Sequence, residues 1–265
     1  MRWKQNIWLS PAALVFGVWL SVSYINPYGG ATTLSSLVEQ FSGARGDFPL
    51  GPNMSELLSF TLRLLPFLVF QALAGIAFYR HYCTASVYVF SRMPNRLKWY
   101  GKECGILALQ TLLYQALVLA TAVGLAAVRW TITDVSQGLP VLLTHLTLWS
   151  LWTFAFTLGV NLLAIYVGSS AAFAALAGVQ VACIGALIAL VPLIEQPELA
   201  QQFLRINPVS CLVLSWHRSI FPSSSYTLSV GDSLTFLLLA AVVVAAVGGW
   251  LIRRHDLLKT EMDGG

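Results

Sequence analysis

Six long apolar stretches, at about 7–25, 58–79, 104–128, 141–167, 171–194 and 233–252, constrain this chain more than any other feature. Each is long enough to cross a hydrocarbon core of ~30 Å at 1.5 Å rise per residue. Lipid offers no water to satisfy backbone N–H and C=O groups, so crossings of this kind are helical. The pattern predicts an all-α membrane protein, a single transmembrane domain over 1–265, with no loop large enough for a soluble catalytic domain. Charged residues are 10% of the chain, where soluble domains carry roughly 25%. The net charge of +4 therefore reads as the charge bias of membrane loops, and no nucleic-acid partner is expected.

Lys and Arg set the orientation. Six spans put both termini, the loop 80–103 and the tight Gly168–Ser170 turn on one side. That side holds Arg2, Lys4, Arg80, Arg92, Arg96, Lys98, Lys102, Arg253, Arg254 and Lys259, whereas the other holds Arg45, Arg129, Arg205 and Arg218. Both termini are thus expected in the cytoplasm, in a multi-pass protein of a bacterial inner membrane. Cleavage of the first stretch as a secretory signal at Ser21-Val-Ser23 would leave an odd number of spans and a poorer charge division. Cys83, Cys104, Cys183 and Cys211 match no zinc or redox spacing and read as small apolar residues.

The outer segments are 26–57 and 195–231. The first is rich in Gly and Pro and reads as turns, with a short helix over Leu34–Phe41 capped by Ser35 or Ser36. The second starts as an amphipathic helix at Pro197, breaks at Asn207-Pro208, and resumes over 209–221. That last piece is too short to span and reads as a re-entrant or interfacial helix before the sixth span. Small residues at four-residue spacing, Ala174, Gly178, Ala182 and Ala186 in the fifth stretch and Ala241, Ala245 and Gly249 in the sixth, allow close helix approach.

A search for chemistry is negative. No catalytic motif, no metal-ligand spacing and no phosphate-binding loop is present, so no catalytic residue, metal or bound cofactor is expected. No acidic residue lies well inside a span, so a carboxylate proton relay lacks its parts. Arg63 is the one charge within a span; it either lines a path or snorkels to the interface, and Pro66 beside it kinks the helix. The loop 80–103 is different. Tyr88, Phe90, Trp99 and Tyr100 stand among Arg92, Arg96, Lys102 and Glu103, and aromatic anchors ringed by cations suit a protein-docking patch.

Six spans, the loop motif Ser91-Arg92…Arg96…Trp99-Tyr100…Lys102-Glu103, a broken helical pair before span six and the terminal Arg253-Arg254-His255-Asp256 resemble the permease subunit of a type-2 ABC exporter. The resemblance implies that 80–103 is the loop coupling to a separate cytoplasmic ABC ATPase, which holds ATP and Mg. It implies a second permease copy, or a homologous permease, within the membrane lipid. Pro208, Trp216 and His217 fall where that family closes the outer side, and Arg63 and Pro66 near its translocation path. Family members often start with a long amphipathic helix, whereas here the first stretch starts at Ile7, which favours permeases that export peptides or small toxic compounds. The function expected is ATP-driven export of a peptide, drug-like or other amphipathic compound. The alternatives are an ion-coupled carrier or channel without an ATPase, or a membrane-integral enzyme.

Overall fold

A computed structural model describes residues 8–24, 29–42, 54–75, 95–190, 196–221 and 228–254. Four of its helices are long and apolar enough to cross a membrane: α5 (Arg96–Arg129), α6 (Val135–Val167), α7 (Ser169–Leu190) and α9 (Val230–Arg254). They are joined by shorter helices, α1 (Leu9–Tyr24), α2 (Leu34–Ser42), α3 (Met54–Arg63), α4 (Leu65–Gly75) and α8 (Pro197–Ile206). A two-stranded parallel pair, β1 (Gly30–Thr33) with β2 (Trp130–Thr133), completes the described elements. The protein is an all-α membrane protein apart from that pair.

Local chemistry explains most boundaries. The Asn95 side chain accepts a hydrogen bond from the Lys98 N–H at 3.1 Å, capping α5. The helix therefore starts at Arg96, and the second half of the loop expected over 80–103 is its first turns. Gly168, with φ of 82°, ends α6 in a conformation that side chains resist and lets α7 turn straight back. The stretch 58–79 is not one helix within the described residues. The ladder breaks at Leu64, between α3 and α4, because Pro66 has no N–H to donate to the Leu62 carbonyl and its ring crowds that turn. Residues 76–79 of that stretch lie outside the described residues.

The bundle is built on α5 and α6. α1 lies along α5 so closely that a Cβ at Gly17 would collide with Thr121. α2, expected from the sequence, is capped by Thr33 rather than Ser35 or Ser36, through the Ser36 N–H to the Thr33 hydroxyl at 3.2 Å. It buries Leu34, Leu37, Val38 and Phe41 against the start of α6, where Gly138 leaves room for Leu34. α3 packs on α7, the Gln71–Gln180 amide pair ties α4 to the same helix, and α9 contacts both α6 and α5.

The second piece of the broken pair differs from expectation. After α8, residues 209–221 form two 3-10 turns, Ser210–Leu212 and Leu214–Trp216, not a re-entrant helix. Side chains capture the backbone there instead. Asn207 accepts from the Val209 N–H at 2.9 Å and donates to the Cys183 carbonyl at 2.9 Å, and the Ser210 hydroxyl bonds to Leu204 and Asn207 carbonyls. Local bonds of this type compete with the helical ladder. Residues 209–217 are buried in the bundle, with Trp216 only 1% exposed.

Candidate functional site

α5 and α9 are antiparallel, so the start of one meets the end of the other. Among the described residues this end carries Arg96, Lys98, Lys102, Arg253 and Arg254, with Glu103 as its carboxylate. Lys98 and Lys102 are exposed, and Arg96 is half-buried. Trp99, Tyr100 and Glu103 turn inward and are buried. The Tyr100 hydroxyl donates to the Ala245 carbonyl at 3.0 Å, and a Cβ at Gly248 would collide with that hydroxyl. Thus the cluster read as one docking patch divides into two faces. Its exposed Lys98 and Lys102 face outward, while Tyr100 locks the first turns of α5 against α9, with Trp99 buried beside it. Tyr88, Phe90 and Arg92 lie outside the described residues.

The middle of the bundle holds uncharged polar groups. The Gln71 and Gln180 amides form a reciprocal pair, at 3.1 Å and 2.8 Å, linking α4 to α7. The Trp152 indole N–H of α6 donates to the same Gln180 oxygen at 3.2 Å. Nearby, the Gln115 amide donates to the Thr153 hydroxyl at 3.1 Å, linking α5 to α6. His145 is buried and stacks on Trp149, with ring centroids 4.5 Å apart. None of Gln71, Gln115 or Gln180 was singled out from the sequence. The signal was there, since glutamine inside an apolar stretch must find a partner or bear the desolvation cost.

At the opposite end, the remaining predicted residues act as structural ties. Arg63 donates to the Gln40 carbonyl at 3.0 Å, holding α3 to the buried α2. The carbonyl of Pro66 accepts from the Tyr114 hydroxyl at 2.9 Å, tying α4 to α5 within the core. Pro208 borders an apolar groove. His217 bonds on both sides, through Nδ1 to the Val213 carbonyl at 3.0 Å and through Nε2 to the Ser233 hydroxyl at 2.8 Å. The Val213 carbonyl can only accept, so Nδ1 carries the proton and Nε2 accepts from Ser233. Burial holds this imidazole below its ordinary pKa. No group of three or more metal-ligating side chains occurs among the described residues.

No protein-family model, curated protein or solved structure matches the chain. Functional assignment therefore rests on the geometry and the resemblance in layout.

Proposed function

We propose that the chain is the membrane subunit of an ATP-driven exporter of the type-2 ABC kind, moving a peptide, drug-like or other amphipathic compound. In this reading it has six spans, both termini in the cytoplasm and its place in a bacterial inner membrane. It works with a second permease copy or a homologous permease, and separate ATPase subunits hold ATP and Mg. The observation that carries the proposal is the start of α5. There a cationic, exposed face continues directly from the loop, while Trp99 and Tyr100 fix the same turns to the bundle. A push delivered to the loop would travel along a rigid helix of 34 residues, past Gln115, to the outer end of the molecule. The middle of the bundle suits this division of labour: among the described residues its buried polar groups are amides, hydroxyls and the His145 imidazole, with no carboxylate there to store a transported proton.

The test uses Tyr88 and Phe90 as the apolar anchors of the loop and Arg92, Arg96 and Lys102 as its rim. Anchors seated in a partner typically cost at least ~2 kcal/mol on truncation, whereas rim charges act more on encounter rate and salt sensitivity. The double change Tyr88→Ala with Phe90→Ala should release the ATPase or uncouple its hydrolysis from transport while the bundle stays folded. Pull-down of the ATPase and stimulation of its activity, measured in one detergent sample, decide the matter. A folded double variant with full binding and normal coupling refutes the proposal. Buried Glu103 favours the second reading, an ion-coupled carrier; transport that needs a proton gradient, needs no ATPase and is lost in Glu103→Gln would establish it instead.

A further inference from the structure

A groove of about 540 Å³ runs along α9, with α6 forming its other wall and Leu176 of α7 at its edge. That volume lies within the ~300–1,000 Å³ of small-molecule sites. The groove is lined almost wholly by carbon, and its α9 side extends from Phe236 to Leu251. Those residues span ~22 Å at 1.5 Å per residue, about three-quarters of the ~30 Å hydrocarbon core.

A charged residue stands one turn beyond the last groove-lining residue of α9. On α9 the groove is lined by Ala240, Val244, Val247 and Leu251, which recur at alternating steps of four and three and so share one helix face. Arg254, three residues beyond Leu251, continues that face, whereas Arg253 falls off it. The Arg254 guanidinium sits 4.6 Å from the ring centre of the exposed Trp250, an aromatic suited to the headgroup level. Lys98 and Lys102 are exposed at the same end of the bundle.

We propose that this groove binds an anionic phospholipid of the surrounding bilayer, with one acyl chain along α9 and the headgroup phosphate at Arg254. Charge complementarity selects this occupant. A basic site between membrane helices attracts acidic headgroups, and a guanidinium can meet phosphate oxygens with two parallel N–H donors. A second copy of the chain in the same orientation would instead bring its own Arg254 to the level of this one, with like charges opposed. The inference is independent of the transport reading and would hold for a carrier or a channel.

Purified full-length chain is equilibrated in mixed micelles containing phosphatidylglycerol or phosphatidylcholine, and retained lipid is counted by native mass spectrometry. One phosphatidylglycerol per chain is expected, retained in preference to phosphatidylcholine. Arg254→Gln should weaken it about fivefold, matching ~1 kcal/mol for one basic residue near the headgroups. Arg253→Gln, with the same loss of charge, should change it far less. Val247→Trp should block the groove and abolish retention, and Ala240→Leu provides a milder obstruction should the tryptophan variant fail to fold. Equal losses in the two arginine variants would mean diffuse attraction and overturn the site, as would retention that survives both obstructions. A shift from dimer to monomer on obstruction would assign the groove to a second copy and likewise overturn the proposal.

Discussion

Replacing Gln180 by leucine should be more harmful than replacing both members of its amide pair. The Gln180 side chain satisfies three polar groups outside its own helix: the Gln71 nitrogen, the Gln71 oxygen and the Trp152 indole N–H. Gln180→Leu leaves all three unpaired in the core. Interhelical hydrogen bonds in membranes average ~0.6 kcal/mol with a ceiling near ~1.7, so three of them give a loss of ~2 kcal/mol, and at most ~5. Gln71→Leu should cost only about 1 kcal/mol, because the Gln180 oxygen keeps Trp152 and its nitrogen keeps the Leu176 carbonyl at 3.2 Å. The double leucine variant leaves one orphan, Trp152, and should lose ~0.6 kcal/mol plus any packing mismatch. Additivity would instead place the double variant at about 3 kcal/mol, so the cycle predicts a coupling of roughly 2 kcal/mol. Reversible unfolding in bicelles or mixed micelles, followed by tryptophan fluorescence, measures all four corners. A double variant as unstable as the sum of the singles would refute the view that these amides act as one closed unit.

Gly248→Ala should destabilise by about 1–3 kcal/mol through overpacking; Tyr100→Phe should restore part of that loss in the same unfolding assay, since the hydroxyl is the nearest colliding atom and the Leu162 methyls remain in the way. His217 is held below its ordinary pKa by burial, so the unfolded state takes up protons first and stability falls as pH drops below ~6.5. Thermal unfolding between pH 7.5 and pH 5.5 should show that fall diminished in His217→Gln, and an unchanged slope would count against the burial argument. Topology can be read with an impermeant thiol reagent on intact cells. Ser136→Cys, exposed at the end opposite the cations, should be labelled and Lys98→Cys protected, with the reverse pattern sinking the orientation. Native Cys211 should label slowly in the folded protein, being 2% exposed.

What the sequence made legible was whatever depended on local runs of residues. Apolar stretches located the four long helices, Gly168 marked the turn between α6 and α7, Pro66 the break before α4, and Asn207-Pro208 the end of α8. The start of α5 was displaced because Arg96, Lys98 and Lys102 look like loop, whereas the Asn95 cap lets the helix begin ahead of its apolar stretch. Residues 209–221 were misread for a related reason. Their hydropathy suits a re-entrant helix, yet Asn207 and Ser210 bind their own backbone and turn the chain into 3-10 geometry. The polar interior escaped notice because each glutamine makes sense only with its partner, and Gln71 and Gln180 are 109 residues apart. The pairing of β1 with β2 has no local signal at all.

That last pairing has a consequence for biogenesis. Gly30 pairs with Trp130 and Thr33 with Thr133, and α2, directly after β1, packs on the beginning of α6. At ~5–20 residues per second, the ribosome needs roughly 5–20 s to make the hundred residues separating the two strands. Throughout that interval Leu34, Leu37, Val38 and Phe41 have been synthesised but lack the helix that will cover them. A nascent chain arrested before Trp130 should therefore be an easy target for proteolytic surveillance. One arrested after Val167 has both strands and all of α6, and its α2 should already be shielded.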